Sequence, residues 1–343
     1  MRALPVVLSV VAAVAVVEVA VNFVFRPQVG PPALAAVFEP HLLALGVAAA
    51  VLAVLLTLGE RGAGGSRIRL LAVVVIVVGV VRLGGEWWSP APASGSASSS
   101  ATPIELRVLS WNLELGSKDA TTSVSGILTA EPKPDLVALQ ELTPDTARTL
   151  EADAAIAKAY PYRILEPRTG VAGMGLLSRY PLVVGSYETG PVVQRAGLLL
   201  PDGSRVELFN VHPFPPGIST LGGVPWGLDT RRRDGDLAAI ADAVAGVDAK
   251  SPVLLVGDLN TTPFEPGFAH LADTMADAHS EVGTGTGFTW RPSSLEPLQV
   301  GLLRLDHVMT SPGLRPLTVA EDCSLPGDHC RLSVTLETVS PAH

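Results

Sequence analysis

The chain has 343 residues, room for about two domains, and only 17% of them are charged, against about 25% in a typical soluble domain. With 48% hydrophobic residues and a formal net charge of −9, it is not a disordered chain, a collagen or a basic nucleic-acid-binding protein. The averages hide a split: residues 1–103 carry 6 basic and 4 acidic side chains, whereas residues 104–343 carry 18 and 29, a net of −11.

Pro5 to Phe25 is an apolar run broken only by Ser9, Glu18 and Asn22. At about 1.5 Å per residue, a helix of this length crosses a hydrocarbon core of roughly 30 Å. A cleaved signal peptide is the alternative, but the run is too long and no small-residue cleavage motif precedes Arg26-Pro27. A second run lies within Ala33–Leu58 and is expected to start at His41, because Glu39-Pro40 breaks the pattern. A third covers Ile68–Leu83, with Arg82 placed to snorkel at its end. Arg61, Arg67 and Arg69 lie between the second and third runs, and only Arg26 lies between the first and second. The positive-inside rule therefore puts the N-terminus in the cytoplasm and everything after the third span outside, with Trp87-Trp88 at the outer aromatic belt. Glu18 and Asn22 share a helix face one turn apart. They either form an intramembrane functional site or bond polar groups of the neighbouring spans.

Residues 89–103 (SPAPASGSASSSATP) read as a flexible linker, spanning roughly 20 Å root-mean-square. It separates a membrane anchor, 1–88, from a domain, 104–338, and a short tail, 339–343. In the domain, apolar or alternating runs at 104–111, 135–139, 171–178, 182–188, 204–212, 252–257, 304–310 and 331–337 predict strands. Residues 119–130, 143–158 and 230–247 predict amphipathic helices. This is enough chain to bury one sizeable α/β core or two packed sheets.

Polar, metal-capable side chains gather where predicted strands meet loops. They are Ser110-Trp111-Asn112-Leu113-Glu114, Gln140-Glu141, Asn210-Val211-His212, Gly257-Asp258-Leu259-Asn260, Asp306-His307 and Asp328-His329. Any one alone reads as a turn or helix cap; six in order at strand edges do not. Together with Gly175-Leu176-Leu177-Ser178-Arg179, their order and spacing resemble the endonuclease/exonuclease/phosphatase superfamily, the fold of DNase I, over residues 104–338. The resemblance implies a four-layer α/β sandwich of two mixed β-sheets flanked by helices, with the site at one edge, here preceded by three transmembrane helices.

Phosphoester hydrolysis calls for a hard cation, and Mg²⁺ (or Mn²⁺) takes one or two carboxylates while keeping several waters. The resemblance assigns Glu141 as the main metal ligand, with Asn112 and Asp328 completing the shell and Glu114 as a further acidic position. Asp258 is similar to the family's water-activating carboxylate, and Asn260 would orient the water or a phosphate oxygen. Asp306 and His329 would form a carboxylate–imidazole pair whose imidazole donates to the phosphate. His212 would bond the phosphate or assist the leaving group, unless it is a buried structural histidine. His307 stands where relatives often carry an aromatic residue, which implies a wall of the site.

Three features depart from the pattern. After His212 an apolar segment runs through Phe214, Ile218, Leu221 and Val224 to Trp226; it either covers the domain's own core or forms a lipid-contacting rim, with Phe214 and Trp226 touching substrate. Arg231-Arg232-Arg233 is either a solvated helix face or a source of one arginine, Arg231, for the substrate phosphate. Cys323 and Cys330 bracket Asp328-His329; outside the cytoplasm the pair is expected to be oxidised, with a zinc site as the alternative.

A domain at −11 with no basic stripe beyond those arginines is poorly equipped to neutralise DNA phosphates. An outward-facing phosphohydrolase held at the bilayer instead suits a phospholipid head group or a polyprenyl pyrophosphate, with an extracellular nuclease or phosphodiesterase as the alternative. A catalytically inactive envelope binding protein is the remaining reading. The layout is also similar to actinobacterial membrane proteins of VanJ type, which implies three spans, an external domain of this superfamily and a link to teicoplanin (glycopeptide) resistance.

Overall fold

The computed structural model describes residues 3–60, 62–88, 103–116 and 119–339. Of the expected linker only Pro103, and of the expected tail only Val339, fall within them.

The first region folds as α1 (Ala3–Phe25), a short α2 (Pro31–Val37), α3 (Glu39–Thr57) and α4 (Ala63–Trp87). The first, third and fourth are long and apolar enough to cross a membrane. Glu39-Pro40 opens α3 rather than stopping it, because proline in the first turn gives up an amide that has no helical partner there. The helices meet through Ala12, Ala50, Ala72 and Val75, small enough for close approach. At one end of the bundle, Arg69 donates to the carbonyl of Thr57 at 2.7 Å. At the other end, Asn22 donates to Glu39 at 2.5 Å, and Glu39 accepts from Arg82 Nε at 2.8 Å. Asn22 thus bonds a polar group of a neighbouring helix, whereas the buried oxygens of Glu18 have no hydrogen-bond partner.

Two residues between α1 and α2 form β1 (Val29–Gly30). The second region runs β2 (Glu105–Asn112), α5 (Ala120–Leu128), β3 (Leu136–Gln140), α6 (Pro144–Ala152), α7 (Ala154–Ala159), β4 (Tyr162–Glu166), β5 (Met174–Ser178), β6 (Leu182–Thr189), β7 (Val192–Leu199) and β8 (Arg205–Val211). It continues through β9 (Gly217–Leu221), β10 (Val224–Asp229), α8 (Arg231–Ala245), β11 (Val253–Asp258), β12 (Ala276–Asp277), β13 (Asp306–Thr310), β14 (Leu314–Asp322) and β15 (Arg331–Thr338). Two six-stranded sheets result, ordered β14-β15-β2-β3-β5-β4 and β12-β13-β11-β8-β7-β6, with a separate small sheet β1-β10-β9. Each large sheet is mixed: β2 runs parallel to β3 and β11 to β8, and the remaining pairs are antiparallel.

The burial pattern explains why so many strands read as unbroken apolar runs. Leu106, Val108, Leu136 and Ala138 of one sheet face Leu208, Leu254, Val256 and Val308 of the other. On the outer faces, Leu109, Trp111 and Val137 meet Ile127 of α5 and Leu150 of α6, while Phe209, Val211 and Leu255 meet Leu237 and Ile240 of α8. Strands covered on both faces need apolar side chains at both parities. The four-layer sandwich implied by the sequence is the observed one. The helix expected over 143–158 is broken at Asp153, whose carboxylate accepts from the amides of Ala155 and Ile156 at 2.8 Å and so caps a second helix.

Cys323 and Cys330 are joined in a disulfide that closes the loop before β15. Inside that loop the fully buried guanidinium of Arg291 donates to the carbonyls of Gly327, Cys323 and Leu325 at 2.8–3.0 Å. In the chain-entropy model a loop this short is stabilised by roughly 2–3 kcal/mol on closure. The Cys323→Ala/Cys330→Ala protein in detergent should therefore melt lower by roughly 5–10 °C. An unchanged melting temperature would show that Arg291 alone holds the loop.

Candidate active site

The parallel strand pairs end on the same side of the sandwich, and their last residues are Asn112, Gln140, Val211 and Asp258. Glu141 and His212 follow directly, and the antiparallel β13 and β15 bring Asp306 and His329 to the same edge. Glu114, Glu141 and Asn260 have φ of 51°, 55° and 51°, left-handed values that cost a side-chain-bearing residue about 1–2 kcal/mol each. Such strain persists only where surrounding contacts impose it, and it clusters at functional sites. Gly257 has φ of 146°, and a Cβ there would lie 2.0 Å from the carbonyl oxygen of Val211. No other residue lets β11 approach β8 this closely just before Asp258.

Asp258 is the hub. Its Oδ2 accepts from Asn112 Nδ2 at 3.0 Å and lies 3.4 Å from His212 Nε2 and 3.5 Å from His329 Nε2, while its Oδ1 accepts from the Asn260 amide at 2.8 Å. Burial alone would raise its pKa, but the two imidazoles outweigh that and hold it below the usual carboxylate range. Asp258 is ionised at neutral pH.

His329 donates from Nδ1 to Asp306 Oδ2 at 2.8 Å. Burial opposes its charge, yet Asp306 and Asp258 prevail and push its pKa up to about 10, so it is an imidazolium at pH 7. His212 points Nδ1 at the carbonyl of Val171 at 2.9 Å, which makes Nδ1 the donor and turns Nε2 toward Asp258 and Glu141. Its pKa is raised despite burial, because two carboxylates face it. His212 is therefore buried but belongs to the site.

Glu141 accepts from Asn112 Nδ2 at 3.2 Å and lies 3.6 Å from His212. Burial raises its pKa, offset in part by His212 and Asn112. Asn112 also accepts from the Glu114 amide at 2.8 Å, and Glu114 accepts from the Asp328 amide at 3.2 Å. Asp328 accepts from the indole of Trp290 at 3.3 Å. Every residue expected in the metal and catalytic sets thus lies in one connected network.

Two groups could hold a cation. Ligand atoms of Asp258, Asp306 and His329 lie within 4.8 Å of one another. However, a histidine ligand must be neutral, and His329 is held cationic with Nδ1 committed to Asp306. Glu141 is a partly exposed carboxylate with a neutral amide and a histidine for company, and its oxygens suit a hard divalent ion. The residues present fit such an ion best at Glu141, with Glu114 and Asp328 in the same network.

Other expectations change. Arg231 is exposed and paired with Asp229, Nε to Oδ1 at 2.9 Å, as on a solvated helix face. Arg232 lies over the ring of Phe214 at 3.8 Å, so Phe214 packs on α8. Arg233 is the one that reaches the site: fully buried, it donates to the carbonyl of Asn260 at 2.8 Å and pairs with Glu265 and Asp234 at 2.7 Å. Asn260 Nδ2 donates to the carbonyl of Pro213 at 3.0 Å, tying its turn to the His212 segment. His307 contacts Asp277 and the carbonyl of Thr261 at 3.2 Å and supports that turn from behind. Beneath the site, Gln140 donates to Asn210 at 2.8 Å, and Asn210 donates to Gln194 at 3.2 Å. No local sequence pattern signals this cross-sheet network, although Gln140 adjoins Glu141 and Asn210 lies two residues before His212. Ile218, Leu221, Val224 and Trp226 are more than half exposed and do not cover the core.

Comparison with known proteins agrees with this geometry. The model of the "Endonuclease/Exonuclease/phosphatase family" matches residues 109–329. No curated protein sequence matches the chain. Among solved structures, it is similar to TDP2 of D. rerio complexed with single strand DNA product, with TM-score 0.52 and 17% identity over 68% of this chain and 99% of that one. It is also similar to truncated TDP2 of Caenorhabditis elegans, with TM-score 0.51 and 17% identity over 68% and 98%. A family protein from Bacteroides thetaiotaomicron gives TM-score 0.50 and 14% identity over 70% and 100%. At such identities these likenesses speak for the fold alone. With the family model covering the sandwich from β2 to His329, the chain belongs to the endonuclease/exonuclease/phosphatase family, whose members hydrolyse phosphoester bonds.

Proposed function

We propose that the protein is a membrane-anchored hydrolase, facing away from the cytoplasm, that cleaves a phosphoester or pyrophosphate bond of a lipid or cell-envelope substrate. One observation carries this reading: the edge of the sandwich that bears the site is the edge that sits on the anchor. Phe264, four residues beyond Asn260, packs among Ala15, Leu43 and Leu83, and its carbonyl accepts from Asn22 at 2.8 Å. Leu303, with Trp290 and Leu305 beside it, packs on Ala33 and Val37, and Phe288 stacks on His41 at 5.0 Å. Glu86 at the end of α4 pairs with Arg304. A site seated on the helix ends meets lipid-borne phosphates before it meets a polymer in solution. Arg67 and Arg69, in the first turns of α4, lie at the far end of the bundle, which supports a cytoplasmic N-terminus.

Mg²⁺ or Mn²⁺ held at Glu141, with Glu114 and Asp328 nearby, would supply neutralisation of charge on the phosphoryl oxygens. Asp258, ionised and ringed by donors, would hold the attacking water; it sustains the His329 imidazolium and, with Glu141, favours the charged form of His212. His329, charged through Asp306, presents Nε2–H to a phosphoryl oxygen, and His212 offers Nε2–H on the Glu141 side, where a leaving oxygen needs a proton. The net −11 of the second region argues against a duplex substrate even within a family that includes nucleases. The likeness in layout to VanJ-type proteins makes envelope lipid intermediates the first substrates to try.

Four outcomes are expected. Glu141→Ala should lower kcat/KM roughly 100-fold or more with little change in melting temperature, and a chelator should abolish wild-type activity until Mg²⁺ or Mn²⁺ is restored. Unimpaired hydrolysis by Glu141→Ala would remove Glu141 from the metal site; an envelope binding protein would show no hydrolysis to impair. Asp306→Asn keeps the shape but cannot sustain the imidazolium, so kcat should fall by roughly 10²–10⁴ while the fold persists. Full-length protein in detergent should hydrolyse polyprenyl pyrophosphate or phospholipid faster than a soluble phosphodiester dye or plasmid DNA, and faster DNA cleavage would favour the nuclease reading.

A further inference from the structure

The small sheet β1-β10-β9 belongs to neither face of the sandwich. Its hairpin turns at Gly222-Gly223, both at positive φ (60° and 81°), the combination that a tight two-residue turn needs. No residue from Phe214 to Leu228 is charged. Ile218, Leu221, Val224 and Trp226 are 64, 71, 66 and 54% exposed, and Val29 on the adjoining strand is 51% exposed. Leu221 pairs with Val224 and, three residues along β9, Ile218 pairs with Leu228, so Leu221 and Ile218 point to opposite faces. A hairpin covering its own domain would be apolar on one face. In water, this two-faced blade with β9 as its free edge would be an association hazard.

Its position identifies what covers it. β10 pairs with β1, Val29 opposite Asp229 and Gly30 opposite Leu228, and Val29 lies four residues past the end of α1. Phe23, Val24 and Phe25 in that last turn are 79, 65 and 74% exposed. Leu228 anchors the blade's base against Ala33 and Val37 of the anchor. The blade therefore leaves the molecule at the height where α1 leaves the hydrocarbon. The edge of β9, unpaired by any strand among the described residues, excludes the hydrocarbon core itself, where its amides would be unsatisfied. Trp226, Ser219 and Thr220 suit the boundary between head groups and acyl chains.

We propose that the β9–β10 hairpin is a lipid-interface blade. It lies in the head-group boundary of the leaflet that receives the end of α1, and it leads, through Phe214 and Pro213, directly to His212. This rests on the membrane-anchored reading above, not on the chemistry assigned to the site. Phosphorylated head groups would then reach His212 sideways along the leaflet.

Both native cysteines are in the disulfide, so a single introduced cysteine in the full chain can be spin-labelled selectively. In phosphatidylcholine/phosphatidylglycerol liposomes, the labels at Leu221→Cys and, within α1, at Val17→Cys should both collide preferentially with oxygen over a nickel chelate. Their oxygen-to-nickel ratios should be at least about threefold above that of Val184→Cys on β6 at the far sheet edge. Trp226 emission, taken as wild type minus Trp226→Phe, should also be quenched by phosphatidylcholine brominated near the head group. If Leu221 matches Val184 while Val17 reads as lipid, or if Trp226 is not quenched, the blade proposal is overturned and the anchor stands. A Val17 label accessible to nickel would overturn both. Turnover is read in neither experiment, so loss of the hydrolase reading would not mimic either result.

Discussion

A carboxylate taken fully out of solvent must find partners, and Glu39, wholly buried at the start of α3, finds its partners on two other helices. Arg82 of α4 supplies the charge and the amide of Asn22 in α1 supplies a second donor, so three helix ends are fixed at one point. Arg82 itself is partly exposed, but removing either partner would leave the buried Glu39 carboxylate less compensated. Asn22 has a second proton to place, and it goes to the carbonyl of Phe264. The same side chain therefore closes the bundle and receives the sandwich.

From Phe264 the constraint passes inward. Glu265, its neighbour, accepts from Arg233 and from the amide of Thr262, and Arg233 holds the carbonyl of Asn260. Asp234, beside Arg233, accepts from Gln28 in the connection that carries β1. The left-handed turn at Asn260, and with it the aim of Asp258, is held on one side by the sheet and on the other by residues answering to the helical bundle. A domain joined only by a flexible tether would have no such coupling.

The sandwich and the ends of its strands were legible because burial on both faces writes apolar residues at both parities, as in Leu106, Val108 and Leu109 of β2. The site was legible because polar residues interrupt those runs at the carboxyl ends. β7 escaped notice because Gln194 and Arg195 sit mid-strand; Gln194 is a polar residue satisfied inside the sandwich by Asn210 and by the carbonyl of Ile164. β14, an edge strand with Pro316 and alternating exposure, carries a weak signal for the same reason that edges are weakly specified. Arg231 and Arg233 looked alike in sequence, and only helix phase separates the solvated one from the buried one. The docking of the two regions was not legible at all. It depends on packing, pairing and hydrogen bonds between residues as far apart in the chain as Asn22 and Phe264, for which no local pattern exists.

The central claim is that the site works on the bilayer in which the protein itself is embedded. Reconstituting full-length protein into liposomes, with polyprenyl pyrophosphate either in the same vesicles or in a separate vesicle population, tests this directly. Hydrolysis should follow the mole fraction of substrate in the enzyme's own membrane and be nearly absent when substrate sits in separate vesicles. Equal rates in the two arrangements would contradict the claim and mean that the site draws its substrate from solution.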